Sequence, residues 1–240
     1  MYSFDSRVRY SECDENGVLA LVPMMNYLQD CSTFQCEEVG RGLKQLRDDH
    51  LGWFVTSWLI QIDSLPKFCD TITTSTWCYA MKRLQAERCF EIRGADGATH
   101  VRADSQWYMY DFSQERVISI PQSESVFLQG DERPADLPQI SRHLKPQGEG
   151  TPTSPIVITE QHLDTNRHVN NAEYVRFALL AAGELGQAID LARLEVQYRT
   201  MALLGDTLSP VVYGGGNDIT VSINGEDGQA RAIVRMEGRA

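Results

Sequence analysis

One order of elements, occurring twice, constrains the fold of this chain more than any other feature. A short strand around Arg7 to Tyr10 precedes a helix from about Pro23 to Val39, in which Met24, Tyr27, Leu28, Cys31 and Phe34 recur at helical spacing. Pro23 suits the first helical position and Gly40 the end of the helix. Four strand-like runs follow: WFVTSWLIQID, TITTSTWCYA, LQAERCFEIR and THVRADSQWYMYDF. In the last, Val101, Ala103, Trp107 and Met109 alternate with His100, Arg102, Gln106 and Tyr108, and GADG before it reads as a hairpin turn. The second half repeats the order. It has a strand at IVIT, then a helix from Ala172 to about Leu185 with Tyr174, Val175, Ala178, Leu179 and Ala182 on one face. Strands follow near 192–201, 206–213, 218–224 and 229–237. The repeat extends to single residues: Asp14 and Asn16 lie six and eight positions after Val8, as Asp164 and Asn166 lie after Ile158.

Between the copies the texture changes. Prolines 121, 134, 138, 146, 152 and 155 fall here together with QGEGTPTSP, which reads as a long crossing linker with little regular structure. The expected organisation is an N-terminal unit over 1–120, a linker over 121–153 and a C-terminal unit over 154–240. The fold class is α+β: a helix wrapped by a curved antiparallel sheet in each copy, with the two sheets able to join edge to edge.

Composition narrows the setting. A net charge of −11 makes nucleic acid or an anionic membrane a poor partner, and no apolar run approaches the length that spans a bilayer. Six cysteines without a CxxC pair argue for reduced thiols, and the N-terminus lacks the pattern of a signal peptide; a cytoplasmic protein is expected.

The stretch HLDTNRHVNN, His162 to Asn171, carries more chemistry than a connection needs. Asp164, Asn166 and His168 stand at alternate positions, so in an extended or turning segment all three can point to one side. Each also has a plain structural use: Asp164 can cap a turn, Asn166 can occupy a left-handed one, and His168 can be a satisfied core histidine. Asn170 followed three residues later by Glu173 is a capping-box pattern, and the first amides of the helix it starts would be open to a developing anion. His162 is read as structural or solvated. The spacing of His162, Asp164 and His168 matches no helical metal motif, and no metal is expected.

RYSECDENGVLALVPMMNYLQD, WCYAMKRLQAERCFEI and above all LDTNRHVNNAEYVRF resemble the acyl-acyl carrier protein thioesterases, a double hotdog family, over essentially the whole chain. The resemblance implies hydrolysis of an acyl thioester to free fatty acid, with acyl carrier protein as partner and no cofactor, and it admits a homodimer. It implies that Asp164 activates water or attacks directly while Asn166 and His168 position and polarise the reacting groups, with the acyl pocket largely in the first unit. One departure stands out: plant members carry a Glu three positions after the Tyr of a later strand, where this chain has Met201 after Tyr198. A long apolar side chain there suggests a drier pocket. Lys82, Arg83, Arg88 and Arg93 offer a basic patch on which an acidic carrier could dock.

Overall fold

The first strand begins earlier than its apolar pattern suggests. β1 is Tyr2–Arg7, and the residues expected to extend it turn instead, because the Arg9 amide donates to the Glu12 carboxylate at 2.9 Å and closes a 3-10 turn over Tyr10–Glu12. The computed structural model describes residues 1–239, and the chain divides into a unit spanning Met1–Gln139 and a second from Ile140 onward.

In the first unit β1 is followed by α1 (Leu21–Glu38), α2 (Leu43–Asp48), β2 (Leu51–Ile62), β3 (Thr71–Met81), β4 (Ala86–Gly94), β5 (Thr99–Asp111) and β6 (Arg116–Ile118). Its strands are antiparallel in the order β1-β3-β4-β5-β2, with β6 also paired to β5. The long helix α1 packs on β1, β3 and β4, so its stripe of Met24, Tyr27, Leu28 and Cys31 is buried against the sheet. Pro23 is the third helical residue rather than the first; its missing N–H still falls among the amides that lack a helical acceptor. Gly40 takes the left-handed conformation past the helix end (φ 74°), and Arg41 N–H reaches back to the Cys36 carbonyl at 2.8 Å. Phe34 lies outside the core, 44% exposed and edge-on to Phe4.

The second unit contains β7 (Thr151–Pro152), β8 (Ile156–Val157), α3 (Asn171–Glu184), β9 (Leu191–Tyr198), β10 (Thr207–Gly215), β11 (Asp218–Asn224) and β12 (Ala230–Gly238). Its antiparallel order is β9-β12-β11-β10-β7, with β8 also on β10, and α3 packs on β10, β11 and β12. Phe177 and Ala181 join the buried face of α3, whereas Leu179 is only half-buried.

The segment 121–153 is better ordered than its prolines suggest. Gln122–Phe127 forms a 3-10 helix whose Glu124 is fully buried, bound by Arg41 and by the Trp53 indole. Beyond it the chain has no helix or strand until β7, yet side chains strap it to each unit. In the first, Trp77 Nε1 donates to the Glu132 carbonyl (2.9 Å), and Arg133 Nε donates to the buried Asp104 (2.7 Å) while its Nη1 holds the Leu137 carbonyl (2.9 Å). In the second, Gln197 accepts from the Leu144 amide (3.1 Å) and donates to the Arg142 carbonyl (3.0 Å). Irregular backbone needs side-chain partners when it is covered, and these strands supply them.

Candidate active site

The loop between His162 and α3 is built by the backbone of five residues. Leu163 and Val169 pair across its base, Asp164 N–H donates to the His168 carbonyl (2.8 Å), and Arg167 N–H donates to the Asp164 carbonyl (3.0 Å). The Asp164 side chain closes the turn: its Oδ1 accepts from the amides of Asn166 (2.8 Å) and His168 (3.2 Å). Oδ2 makes no hydrogen bond among the described residues. The segment is therefore a tight turn and not extended. It places Asp164 and His168, both half-buried, opposite each other at its base and Asn166, exposed, at its tip. The left-handed residue is Arg167 (φ 63°), not Asn166.

Subtracting 150 from each number gives the same turn in the first unit. Asp14 Oδ1 accepts from Asn16 and Val18 (both 2.9 Å), Cys13 pairs with Leu19, and the left-handed position is Gly17 (φ 72°). The Val18 amide holds the Asp14 carboxyl below the usual carboxylate range. Gly accepts this backbone freely, whereas an L side chain costs about 1 to 2 kcal/mol. Arg167→Gly should thus raise stability by about 0.5 kcal/mol after the entropy of a freer unfolded chain is subtracted. A urea midpoint that falls for this variant would contradict the strain.

The supports of the loop are specific to this copy. The ring of His162 sits edge-on to Phe177 (5.3 Å), and its Nδ1 accepts from the Thr159 amide (3.1 Å), which puts the proton of the neutral ring on Nε2. In the first unit the matching residues are Glu12, Tyr27 and Arg9, and the Tyr27 hydroxyl donates to Glu12 at 2.6 Å. His162 is thus a structural residue. Asn170 caps α3 through Oδ1 and the Ala172 amide (3.0 Å), but the capping box is half-made: the Asn170 amide goes to the His162 carbonyl, and Glu173 pairs with Arg176. The Glu173 amide is taken by the Asn170 carbonyl. Two of the helix amides expected to receive an anion are therefore already engaged.

Two tyrosines that sequence reading treated as core and landmark hold the site in place. Tyr198 Oη donates to the Asn171 carbonyl (2.9 Å), Tyr174 Oη accepts from the Ala202 amide (3.2 Å), and Ala202 O accepts from the Val169 amide (3.1 Å). Burial pushes the Tyr198 phenol well above its ordinary value, so it serves as a neutral donor. Among the described residues no three His, Cys, Asp or Glu side chains gather as a metal site would require.

The family model for the acyl-ACP thioesterase N-terminal domain matches residues 1–125, more than half of the chain. The chain belongs to the acyl-ACP thioesterase family. It is 21% identical to a chloroplastic palmitoyl-acyl carrier protein thioesterase of Gossypium hirsutum over 100% of its own length and 61% of the relative's. It is 24% identical to oleoyl-acyl carrier protein thioesterase 1 of Arabidopsis thaliana over 96% of this chain and 70% of that one. The chain thus spans about three fifths of the first of these curated relatives. An acyl-ACP thioesterase of Bacteroides thetaiotaomicron superposes with a TM-score of 0.86 at 23% identity, covering 98% of this chain and 96% of that one. The 12:0-ACP thioesterase of Umbellularia californica gives 0.84 at 18%, covering 99% and 96%. The fold is the double hotdog.

Met201, where the resemblance placed the plant Glu, stands beside the loop: it precedes Ala202, whose carbonyl binds Val169. Met201 is 41% exposed, so the slot is wet rather than dry, and Leu203 and Leu204 beside it are more exposed still. Glu195 stands elsewhere, buried in β9 and accepting from the Ser141 amide. The expected four-residue basic patch does not form, although Arg83 is exposed. Arg88 is buried because it alternates onto the helix-facing side of β4, while Lys82 is bound to Glu87 (2.7 Å) and Arg93 to Glu91 (2.8 Å).

Proposed function

We propose that this protein hydrolyses the thioester of acyl-acyl carrier protein and releases free fatty acid, with Asp164, Asn166 and His168 as the catalytic residues. The observation that carries the reading is the comparison of the two turns: identical backbone and carboxylate bonding, with His168 added in one copy where the other has Val18. A turn alone needs no imidazole. In the reaction Oδ2 of Asp164 takes a proton from water or attacks the carbonyl carbon itself. The carbonyl oxygen becomes an oxyanion facing Asn166 and His168, the C–S bond breaks, and the thiolate leaves with a proton relayed by His168. Where water attacks, the acyl carbon gains hydroxyl and the sulfur gains hydrogen directly; where Asp164 attacks, water then hydrolyses the acyl–Asp164 anhydride, which restores the carboxylate and gives the same products.

The partner is a carrier protein bearing an acyl chain, met without the basic patch that charge alone would favour. The cellular setting we infer is the cytoplasm, consistent with six cysteines that are all free thiols. Among the described residues no helix is long and apolar enough to cross a membrane. Turnover of chain-matched carrier-protein and coenzyme A esters by the purified protein tests the reading. Hydrolysis of the coenzyme A ester alone would reassign the substrate, and tight acyl binding without hydrolysis of either would make the protein a binder.

Met201→Glu probes how catalysis runs without the plant carboxylate. At a 41% exposed position Glu is solvated, so stability should stay within about 0.5 kcal/mol of the parent. A second carboxylate beside the loop should raise turnover by orienting water or holding His168 charged. Unchanged turnover in the folded variant would show that the slot does not communicate with Asp164 and His168.

A further inference from the structure

The interior of the first unit is not the plain apolar surface that an alkyl chain would ask for. Strand register sets Trp58 opposite Ser105, Ser105 opposite Arg88, and Arg88 opposite Cys78, so four side chains from four strands stand in one row across the sheet. The row faces α1, since Arg88 Nη1 donates to Gln35 of that helix (2.5 Å) as well as to Thr76 (3.1 Å). Arg88 is 8% exposed and makes no ion pair among the described residues; its guanidinium lies 5.3 Å over the Phe127 ring. The thiols of Cys31, Cys36 and Cys78 do not neutralise it, because burial pushes them up, to about 12 and about 11 for the first two. Nε and Nη2 of Arg88 donate to no protein group, and neither is sealed from solvent, so the edge of the guanidinium that they form is open to an incoming acceptor.

Trp58, 1% exposed, adds another donor. Its Nε1 is buried without a partner, while its ring is fixed against Phe90 (4.8 Å) and Trp107 (6.1 Å). The Trp107 indole, by contrast, is satisfied by Ser105 Oγ at 2.6 Å. A buried donor left unmade costs about 1 to 3 kcal/mol, and Trp58 Nε1 bears that cost in the same row as a guanidinium that has no counter-ion. Apolar residues of the same volume would be at least as stable. What the row lacks is an acceptor, and the cation lacks an anion.

We infer that the interior of the first unit binds an acyl chain that carries oxygen, as a carboxylate, hydroxyl or oxo group, and that Arg88 and Trp58 select for it over a plain alkyl chain. The inference rests on the proposed function for the presence of an acyl chain at all. The shared chemistry is an oxygen acceptor. A carboxylate takes both free edges of the guanidinium and neutralises it, whereas a hydroxyl or oxo group takes one donor and leaves the charge.

The test measures kcat/KM of the full chain on carrier-protein thioesters of one chain length in four forms: alkyl, hydroxyl, oxo and terminal carboxylate. Binding of the four free acids is followed separately by tryptophan fluorescence. The parent should prefer an oxygenated chain by about 10²-fold or more, the direction in which buried donors discriminate. Arg88→Met should abolish the preference and spare or improve the alkyl ester; Arg88→Lys should restore part of it for the carboxylate. A preference for hydroxyl or oxo over carboxylate, reduced by Trp58→Phe, identifies the neutral oxygen. If Arg88→Met does not fold, the parent's preference and Trp58→Phe decide. Rates and affinities within threefold for all four chains in the parent overturn the inference and leave the proposed function standing. Preferential binding of an oxygenated acid without hydrolysis of any ester keeps the inference and sinks the proposed function.

Discussion

Asp164→Asn and His168→Val are each expected to lower turnover by about 10² to 10⁴, the usual worth of an acid-base group, while the fold stays intact. The structure makes these clean substitutions. Asn keeps an Oδ1 that accepts from the Asn166 and His168 amides, so the turn loses only its charge. Val at 168 is what the first unit already carries at the matching position 18, in the same turn with the same bonds. Asp14→Asn is the internal control, equal in chemistry and backbone, and should leave turnover within about threefold of the parent. Circular dichroism and a thermal melt confirm folding before rates are compared. If both second-unit variants hydrolyse near the parent rate, the site lies elsewhere; if Asp14→Asn loses as much as Asp164→Asn, the two copies have been assigned the wrong way round.

Arg133→Met should cost about 3 to 5 kcal/mol, the penalty for removing one partner of a buried pair. Asp104 is the deeper member at 2% exposed, and after the change it keeps only neutral donors, the Tyr79 hydroxyl at 3.1 and 3.2 Å and the Ser105 amide. Arg133 also pins the strap through the carbonyls of Pro134, Leu137 and Pro138. Burial already raises the Asp104 carboxyl above its usual value, against the pull of Arg133 and Tyr79. Without Arg133 the rise must grow. For a carboxyl raised on folding, the native state binds more protons than the unfolded state between the two pKa values, so stability falls as pH rises through that window. The variant should therefore lose most of its deficit on acidification, and Asp104→Asn combined with Arg133→Met should cost less than the single change. Urea midpoints at several pH values read this directly. A deficit that does not vary with pH would place the cost in the strap and not in the stranded charge.

Much of this was legible in the residues. The two long helices and most strands follow from periodicity, because each buries one face and its apolar residues must recur at the period of the element, whereas the six-residue α2 is too short to show one. The turn of the candidate site was legible as a set of residue types, since Asp14 and Asp164 sit at the same distance from Val8 and Ile158. Its geometry was not. Whether Asn166 or Arg167 takes the left-handed position depends on which amides the carboxylate captures, and both residues are tolerable there on sequence grounds. Arg88 was misread for a related reason: strand alternation says that 87 and 88 face opposite ways, but not which of them meets the helix. The exposure of Met201 depends on neighbours in the segment after β9, which carries no periodic signal. The straps were hidden because their bonds run from side chains to irregular backbone, where no period exists to be read.

The paired turns also bear on how such a chain can change over generations. On the proposed catalytic assignment, selection on the second unit preserves a carboxylate, an amide and an imidazole along with a strained Arg167, so substitutions there are screened for both folding and chemistry. Selection on the first unit is freed from the reagents: Gly17 relaxes the backbone and Val18 asks only to pack. A duplicated unit of this kind is a licence to drift on one side only. The interior row of Trp58 and Arg88 stands on that side, where a lineage could retune what it accepts without rebuilding the loop that acts on it.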